Sequence, residues 1–238
     1  MLFSSEQASD KTSKKCVKMS ERVNDMADNN YIIEVKNAVK KYKETIALND
    51  VSINFEKNKI TGIIGRNGSG KTVLLRSICG LTKLTSGNIK VDGKVIGKDI
   101  EIPKNLGVII ETPGFINEFS GIKNLKILYS LNHKVDKNKL EDVMYQVGLN
   151  PKEKKRVSKY SLGMKQRLGI AQAIMEDPNI LILDEPTNAL DRHGVDEFRH
   201  LLLKLKNAGK TIIIASHNSA DIELLCDVVY ELDGGKIV

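Results

Sequence analysis

Residues 65–72, GRNGSGKT, constrain the fold of this chain more than any other stretch. They follow the apolar run ITGII and precede residues 72–80, TVLLRSICG, whose apolar spacing predicts a helix. A G-x-x-x-x-G-K-[ST] pattern between a strand and a helix predicts a loop whose backbone N–H groups bind phosphate, rather than a glycine-rich turn that merely matches the pattern. We expect Lys71 to reach the β and γ phosphates and Thr72 to ligate Mg²⁺. The predicted phosphate-binding residues are Gly65, Arg66, Asn67, Gly68, Ser69, Gly70, Lys71 and Thr72.

Two acidic residues end a second apolar run, ILILDEP, which predicts a buried strand. In a parallel sheet covered by helices, the ligand binds at the carboxyl ends of the strands. The two acids are therefore expected beside the phosphate loop. Asp184 would hold Mg²⁺ directly or through water, and Glu185 would polarise the attacking water as general base. Two acids here can also cap the following turn. The phosphate loop in the same chain favours the catalytic interpretation.

A third apolar run, TIIIA, is followed by Ser216 and His217. A histidine at this position is placed to meet the γ-phosphate, although a lone histidine is more often structural. The other histidines, His133, His193 and His200, occur in polar stretches and are predicted to be surface residues. His217 is therefore the histidine assigned to the site.

Strands that alternate with helices predict an α/β fold with a mainly parallel sheet covered on both faces. An antiparallel β subdomain is indicated by YIIEV, VSINF and IKVDGKVI, the last with Asp92 and Gly93 at a two-residue turn. Helical periodicity predicts an inserted helical subdomain at about residues 114–165. Residues 1–30 are polar and lack a sustained apolar period, so we expect a disordered extension outside the folded domain of residues 31–238.

The net charge of +7 comes from lysines that are scattered or in short runs, such as KEKKR at residues 152–156, without interleaved aromatic residues. This pattern predicts a solvated or membrane-facing surface and no nucleic-acid partner. The longest apolar runs are far short of the roughly 20 residues of a membrane-spanning helix. The absence of a secretory signal pattern and three widely spaced cysteines, Cys16, Cys79 and Cys226, predict a cytoplasmic location.

The motifs GRNGSGKT, SLGMKQR, ILILDEP, NALD and ASH, in this order, resemble the nucleotide-binding subunit of ATP-binding cassette (ABC) transporters over residues 31–238. The resemblance implies a P-loop NTPase core that binds ATP and Mg²⁺. It also implies that two cassettes bind head to tail, with each ATP between the phosphate loop of one and the signature, SLGMKQR, of the other. The second cassette is expected to be another copy of this chain.

Further site residues follow from the same resemblance. Ser161, which is placed as an N-cap, and Gly163 would contact the ATP bound to the second cassette. Residues 188–191, NALD, would link the two sites. Tyr42 matches the aromatic residue that stacks on adenine. We therefore expect a chain that binds ATP alone and hydrolyses it well only when another subunit presents its signature.

This sequence departs from the family pattern at two places. The usual signature LSGGQ reads YSLGM at residues 160–164, which keeps Ser161 and Gly163. Where the family carries a Gln at the entrance to the helical subdomain, IIETPGF has Glu111. Glu111 can still reach Mg²⁺ or a water, but it adds charge near the γ-phosphate and titrates.

Glu111, together with SLGMKQRLGIA, resembles the branch that exports lantibiotics and bacitracin-like peptides. That branch pairs the cassette with separately encoded polytopic membrane subunits. The implied function is an ATP-hydrolysing subunit at the cytoplasmic face of the membrane, where ATP-driven dimerisation is coupled to export. The implied outcome for the cell is resistance to, or immunity against, a peptide antibiotic.

Two other functions are compatible with a phosphate loop and a signature helix. Soluble ABC ATPases that act on ribosomes resemble two cassettes in tandem, and those that act on DNA carry a long coiled coil before the signature. Here there is one cassette and no heptad run between Lys71 and Ser161. A regulatory cassette that does not hydrolyse ATP would be expected to have lost at least one of the residues that catalysis needs. This chain keeps all four of them, Lys71, Asp184, Glu185 and His217, which argues against a regulatory cassette.

Overall fold

The computed structural model describes residues 30–111, 113–217, 222 and 224–238. The predicted extension at residues 1–30 therefore lies almost wholly outside the described residues, and its disorder stays a prediction. Within the described part, the chain forms two sheets with helices packed against them.

A six-stranded sheet forms the centre of the fold. Its strands are β3 (Ile60–Ile64), β6 (Leu106–Ile109), β7 (Ile180–Asp184), β8 (Thr211–Ser216), β9 (Val228–Asp233) and β10 (Lys236–Ile237). Their spatial order is β10, β9, β3, β8, β7, β6. All neighbours are parallel except β10, which pairs antiparallel with β9. The predicted mainly parallel sheet is confirmed.

Strand β7 shows why this sheet is covered on both faces. All of its residues are buried, and successive side chains of a strand point to opposite faces. Leu181 and Leu183 pack into a cluster formed largely by helices. Ile180 and Ile182 pack into a second cluster, which includes the buried residues of the antiparallel sheet. The continuous apolar run ILIL is therefore the sequence of a strand between two cores.

The antiparallel sheet contains β1 (Tyr31–Tyr42), β2 (Thr45–Glu56), β4 (Ser86–Val91) and β5 (Lys94–Val95), in the order β2, β1, β4, β5. The turn predicted between β4 and β5 is confirmed, with φ of 50° at Asp92 and 74° at Gly93. Strands β1 and β2 are each 12 residues long and extend beyond the predicted YIIEV and VSINF. Irregular register between Val35 and Ala38 interrupts the alternation that would have revealed the full length of β1.

The helix predicted after the phosphate loop is confirmed as α1 (Lys71–Ile78). The other principal helices are α2 (Gly121–Tyr129), α3 (Lys137–Gln146), α4 (Leu162–Ile174) and α5 (Arg192–Asn207). The predicted N-cap is confirmed, because the Ser161 hydroxyl accepts a hydrogen bond from the Met164 N–H at 3.2 Å. Helices α2 and α3 lie within the predicted helical subdomain, whose limits stay a prediction. Across the described ranges, no helix is both long and apolar enough to cross a membrane.

Gly107 allows helix α4 to pack closely on strand β6. A Cβ atom at this position would lie 2.1 Å from the Ala173 backbone oxygen and 2.6 Å from a methyl group of Leu181. Backbone contacts of this kind cannot be relieved by a change of rotamer. Any side chain at position 107 must therefore push α4 away from the sheet.

We expect Gly107→Ala to lower the free energy of unfolding by about 2 kcal/mol, because overpacking at this contact displaces a core helix. Urea unfolding measures the change. Gly114→Ala is the matched control, since a Cβ at Gly114 meets no atom within 4 Å. Equal stability of the two variants would contradict the packing argument.

Candidate functional site

The topology brings together three of the predicted motifs. Strands β3, β8 and β7 are adjacent and parallel, so their carboxyl ends lie at one edge of the sheet. Residues 65–72 follow β3, Asp184 and Glu185 lie at the end of β7, and His217 follows β8. The site is thus assembled from segments that are far apart in the sequence.

The phosphate loop is held between strands from both sheets. A Cβ on Gly65 would lie 2.2 Å from the Leu232 oxygen, and a Cβ on Gly70 would lie 2.4 Å from the Ala47 oxygen. Both glycines also have positive φ, at 153° and 108°. These positions therefore require glycine for space as well as for backbone conformation. The other predicted residues of the loop complete it, with Arg66, Asn67 and Gly68 exposed at its tip and Ser69 buried.

Lys71 folds back over the loop that precedes it. Its ammonium donates hydrogen bonds to the carbonyl oxygens of Gly65 at 2.6 Å and Arg66 at 3.2 Å. Gly70 provides no side-chain cap for α1, and the first turn of α1 contains no acidic residue. The helix N-terminus therefore presents backbone N–H groups and the positive end of its dipole next to a buried ammonium, which is a favourable environment for an anion.

Thr72 and Asp184 meet directly at the base of the site. The Thr72 hydroxyl donates to Asp184 Oδ2 at 2.6 Å, while Asp184 Oδ1 is buried without a hydrogen-bond partner among the described residues. Burial raises the pKa of Asp184, and the Glu185 charge adds to this rise. The hydrogen bond from Thr72 and the Lys71 charge oppose it. The carboxylate is thus held in a place that disfavours its negative charge.

Glu185 lies at the start of the loop after β7, in the left-handed backbone region, with φ of 47°. His217 Nδ1 is 2.9 Å from Glu185 Oε1, and the Ser216 hydroxyl is 3.4 Å from Oε2. Oε1 has no hydrogen-bond partner among the described residues, and its close approach to His217 is an ion pair only when the imidazole is protonated. The Glu185 side chain is only 20% exposed. Glu185, the predicted general base, and His217, the residue predicted to contact the γ-phosphate, are therefore neighbours.

Glu111 has a partner that the sequence did not predict. Its carboxylate pairs with Arg76 of α1 at 3.0 Å, and its φ is 60°. Arg76 lies four residues after Thr72, so both side chains are on one face of α1, a spacing that could have pointed to it. The Glu111 charge also contributes to the raised pKa of Asp184. Glu111 therefore influences the site through its charge, and a role in binding Mg²⁺ stays a prediction.

The remaining predicted residues lie apart from this group. Ser161 is exposed at the start of α4, and a Cβ on Gly163 would lie 2.9 Å from the Ala189 oxygen. Tyr42 is exposed at the end of β1, with the Lys40 ammonium 4.7 Å from its ring centre. In the described part of the chain, none of these three residues forms a hydrogen bond or ion pair with the phosphate loop. As predicted, His133, His193 and His200 are exposed.

Comparison with known proteins identifies similar sequences. The family described as ABC transporter matches residues 48–188. An uncharacterised ABC transporter ATP-binding protein of Bacillus subtilis is 47% identical, over 87% of this chain and 94% of that protein. The bacitracin transport ATP-binding protein BcrA of Enterococcus faecalis is 43% identical, over 87% of this chain and 68% of BcrA. The lantibiotic transport ATP-binding protein SrtF of Streptococcus pyogenes is 36% identical, over 87% of this chain and 89% of SrtF.

Solved structures share the fold. A dimeric bacterial ABC transporter cassette has a TM-score of 0.79 at 23% identity, over 86% of this chain and 96% of that chain. At this identity the likeness concerns the fold alone. CbiO1 of Clostridium perfringens, part of the transporter complex CbiONQ, has a TM-score of 0.75 at 29% identity, over 88% of this chain and 87% of that chain.

We expect Asp184→Asn to raise the free energy of unfolding at neutral pH, measured by urea titration without nucleotide or divalent cation. The pKa of Asp184 in the folded state lies above its ordinary value of 3.8, so the folded state holds this proton more tightly than the unfolded state. Asp184 therefore costs stability as the pH rises through its folded-state pKa. Asn carries no charge and can still accept the Thr72 hydrogen bond.

The gain of Asp184→Asn over the parent should shrink in acidic buffer, where the parent carboxyl is protonated. Asp142→Asn, on an exposed surface of α3, is the control and should change stability little at either pH. A gain of the same size at both pH values, or no gain at neutral pH, would contradict the buried-charge argument.

Proposed function

The chain belongs to the ABC transporter family as an ATP-binding subunit, and we propose that it hydrolyses ATP to drive export of a peptide antibiotic through separate membrane subunits. The observation that carries the proposal is a row of polar side chains beside the phosphate loop. Thr72 contacts Asp184, and the next residue, Glu185, contacts His217. A binding module without catalysis would need the loop but would not need a half-buried carboxylate next to a histidine. The polar groups of this site therefore suit turnover as well as binding.

Lys71 and the N-terminus of α1 are the groups we assign to the phosphates of ATP. Lys71 is 6% exposed, and its ammonium is hydrogen-bonded to two carbonyl oxygens of its own loop. Phosphate oxygens are stronger acceptors than carbonyls, so bound nucleotide would draw this ammonium away from the loop. The backbone N–H groups of the loop bind the same oxygens and fix the direction of the phosphate chain.

Thr72 and Asp184 fit the requirements of a Mg²⁺ site. A hydroxyl and a carboxylate are the hard oxygen donors that Mg²⁺ prefers, and Asp184 Oδ1 is a buried oxygen without a partner in the described structure. A Mg²⁺ ion held by these two residues would supply positive charge against the phosphates of ATP. Positive charge at this place would also favour the ionised form of Asp184, which its burial disfavours.

Glu185 is the group we assign to proton removal from the attacking water. Its carboxylate does not make the Thr72 contact that occupies Asp184, and Oε1 has no hydrogen-bond partner among the described residues, so this oxygen can accept a proton. His217 and Ser216 lie on its two oxygens at 2.9 Å and 3.4 Å, which orients the carboxylate. His217 is also the side chain we assign to the γ-phosphate, so it would connect the base to the bond that breaks.

A second cassette completes the proposed site. Ser161 is exposed at the N-terminus of α4, where backbone N–H groups and the helix dipole favour an anion. The contacts of Ser161 and Gly163 are with Met164 and with Ala189, away from the phosphate loop of the same chain. We propose that these two residues bind the γ-phosphate held by a second copy of this chain.

The proposed cargo class rests on similarity. BcrA and SrtF, which transport bacitracin and a lantibiotic according to their names, align with 87% of this chain. We propose that this chain works at the cytoplasmic face of the membrane with polytopic partners that contact the peptide. Glu111 would then replace the usual Gln at the entrance to the helical subdomain, where its pairing with Arg76 limits the negative charge it adds.

Glu185→Gln should retain ATP binding and lower kcat at least about 100-fold, because an amide cannot accept the proton that a general base removes. Phosphate release measures turnover, and binding of a fluorescent ATP analogue measures affinity. Lys71→Ala should instead weaken binding, since it removes the ammonium from the phosphates. Glu44→Gln, on an exposed turn, is the control for carboxylate loss. Turnover by Glu185→Gln at the parent rate would exclude Glu185 as the base.

Purification of the tagged chain from detergent-solubilised membranes of its own cell should recover a polytopic membrane protein in stoichiometric amount. The same purification in the presence of ATP with Glu185→Gln should retain that partner, because a closed dimer would persist. Recovery of ribosomes or DNA instead would place the ATPase in a soluble process and overturn the transport proposal.

A further inference from the structure

Helix α4 packs against the loop that begins at Glu185. The Gln166 side-chain amide donates a hydrogen bond to the Pro186 carbonyl at 2.9 Å. One turn earlier, Gly163 approaches the Ala189 carbonyl so closely that a Cβ would lie 2.9 Å from its oxygen. Residues three apart share a helix face, so one face of α4 meets residues 186–189 at two points. This contact lies entirely within one chain.

The backbone of Glu185 needs support from its surroundings. Its φ of 47° is uncommon for a residue with a side chain, and such conformations persist only where neighbouring contacts enforce them. On the strand side, the Glu185 N–H donates to the Ala215 carbonyl at 2.9 Å. On the other side, Pro186 has no N–H, so its carbonyl is the only backbone group through which it can be held by a hydrogen bond.

We propose that Gln166 is a positioning residue for hydrolysis in its own subunit: by holding the Pro186 carbonyl, it fixes the backbone of Glu185 and the direction of its carboxylate. The proposal rests on the proposed function, in which Glu185 is the general base. Gln166 has no assigned contact with ATP or water. Its effect therefore passes through Pro186, and it should change the rate of the chemical step rather than the affinity for ATP.

The same helix serves two sites in the proposed dimer. Its first residues, Ser161 and Gly163, are assigned to the nucleotide of the second subunit, whereas Gln166 acts on the Glu185 of its own chain. Nucleotide engaged by Ser161 at one site would therefore bias the position of the base at the other. Loss of the Gln166 contact should therefore weaken the coupling between the two sites.

A purely structural role for Gln166 makes a different prediction. If Gln166 only stabilised the start of α4, its loss would disturb Ser161 and so impair the site in the second subunit. A positioning role impairs the site in the same subunit. The two roles therefore differ in which of the two sites is slowed.

Dimers with one active site separate these roles. Gln166→Met removes the amide donor at similar length, and Glu185→Gln silences one site. In the first dimer, the Gln166→Met copy keeps Glu185 and its partner copy carries Glu185→Gln. In the second dimer, one copy carries both changes and the partner copy is the parent. Two affinity tags purify each mixed dimer, and phosphate release is measured over a range of ATP concentrations.

The first dimer should show kcat about tenfold below that of a reference dimer carrying Glu185→Gln in one copy alone, with KM for ATP within about twofold. The second dimer should match the reference. Gln166→Lys, which restores a donor of sufficient length, should recover the rate. Gln146→Met, at an exposed position of α3, is the control for the substitution itself. In dimers without Glu185→Gln, Gln166→Met should lower the Hill coefficient for ATP towards 1.

Slowing in the second dimer only, in both dimers equally, or in neither would overturn the proposal. Gln166→Glu, which has the same shape and no donor, repeats the test if Gln166→Met lowers the melting temperature. Failure of the proposed function would be seen separately. In that case the parent dimer itself would release no phosphate, whatever the Gln166 variants do.

Discussion

Parallel pairing of β3, β8 and β7 is the constraint on which the site depends. Parallel strands end at the same edge, so the loops after them meet although more than 100 residues separate Thr72 from Asp184. The 2.6 Å hydrogen bond between these two side chains depends on that register. The helices and the antiparallel sheet cover the two faces of these strands, with one apolar cluster on each face.

The site contains a buried charge and two unfavourable backbone conformations. Asp184 is buried beside Glu185. Glu185, which follows β7, and Glu111, which precedes the inserted helices, both have positive φ. Each of these features costs stability in the absence of ligand. In the proposed function, a divalent cation held by Thr72 and Asp184 would relieve the unfavourable negative charge, and this feature would then favour the cation-bound state.

Much of the fold followed from the sequence because the signals were local. The glycine loop, the apolar runs of β7 and β8 and the cap of α4 are each encoded in fewer than ten neighbouring residues. The lengths of β1 and β2 were not predictable from alternation, because their pairing is irregular. The pairing of Glu111 with Arg76 and of Gln166 with Pro186 depends on how distant segments pack, which periodicity does not report. The roles of Lys71, Asp184, Glu185 and His217 follow from motif and geometry, and remain predictions until activity is measured.

The alternation of side chains along β7 limits how this segment can change over time. Substitutions that keep an apolar side chain can accumulate on either face independently, because Ile180 and Ile182 contact one core and Leu181 and Leu183 contact the other. An inserted or deleted residue would exchange the two faces at once and would also turn Asp184 away from Thr72. Related chains should therefore vary in composition along this strand while its length stays fixed.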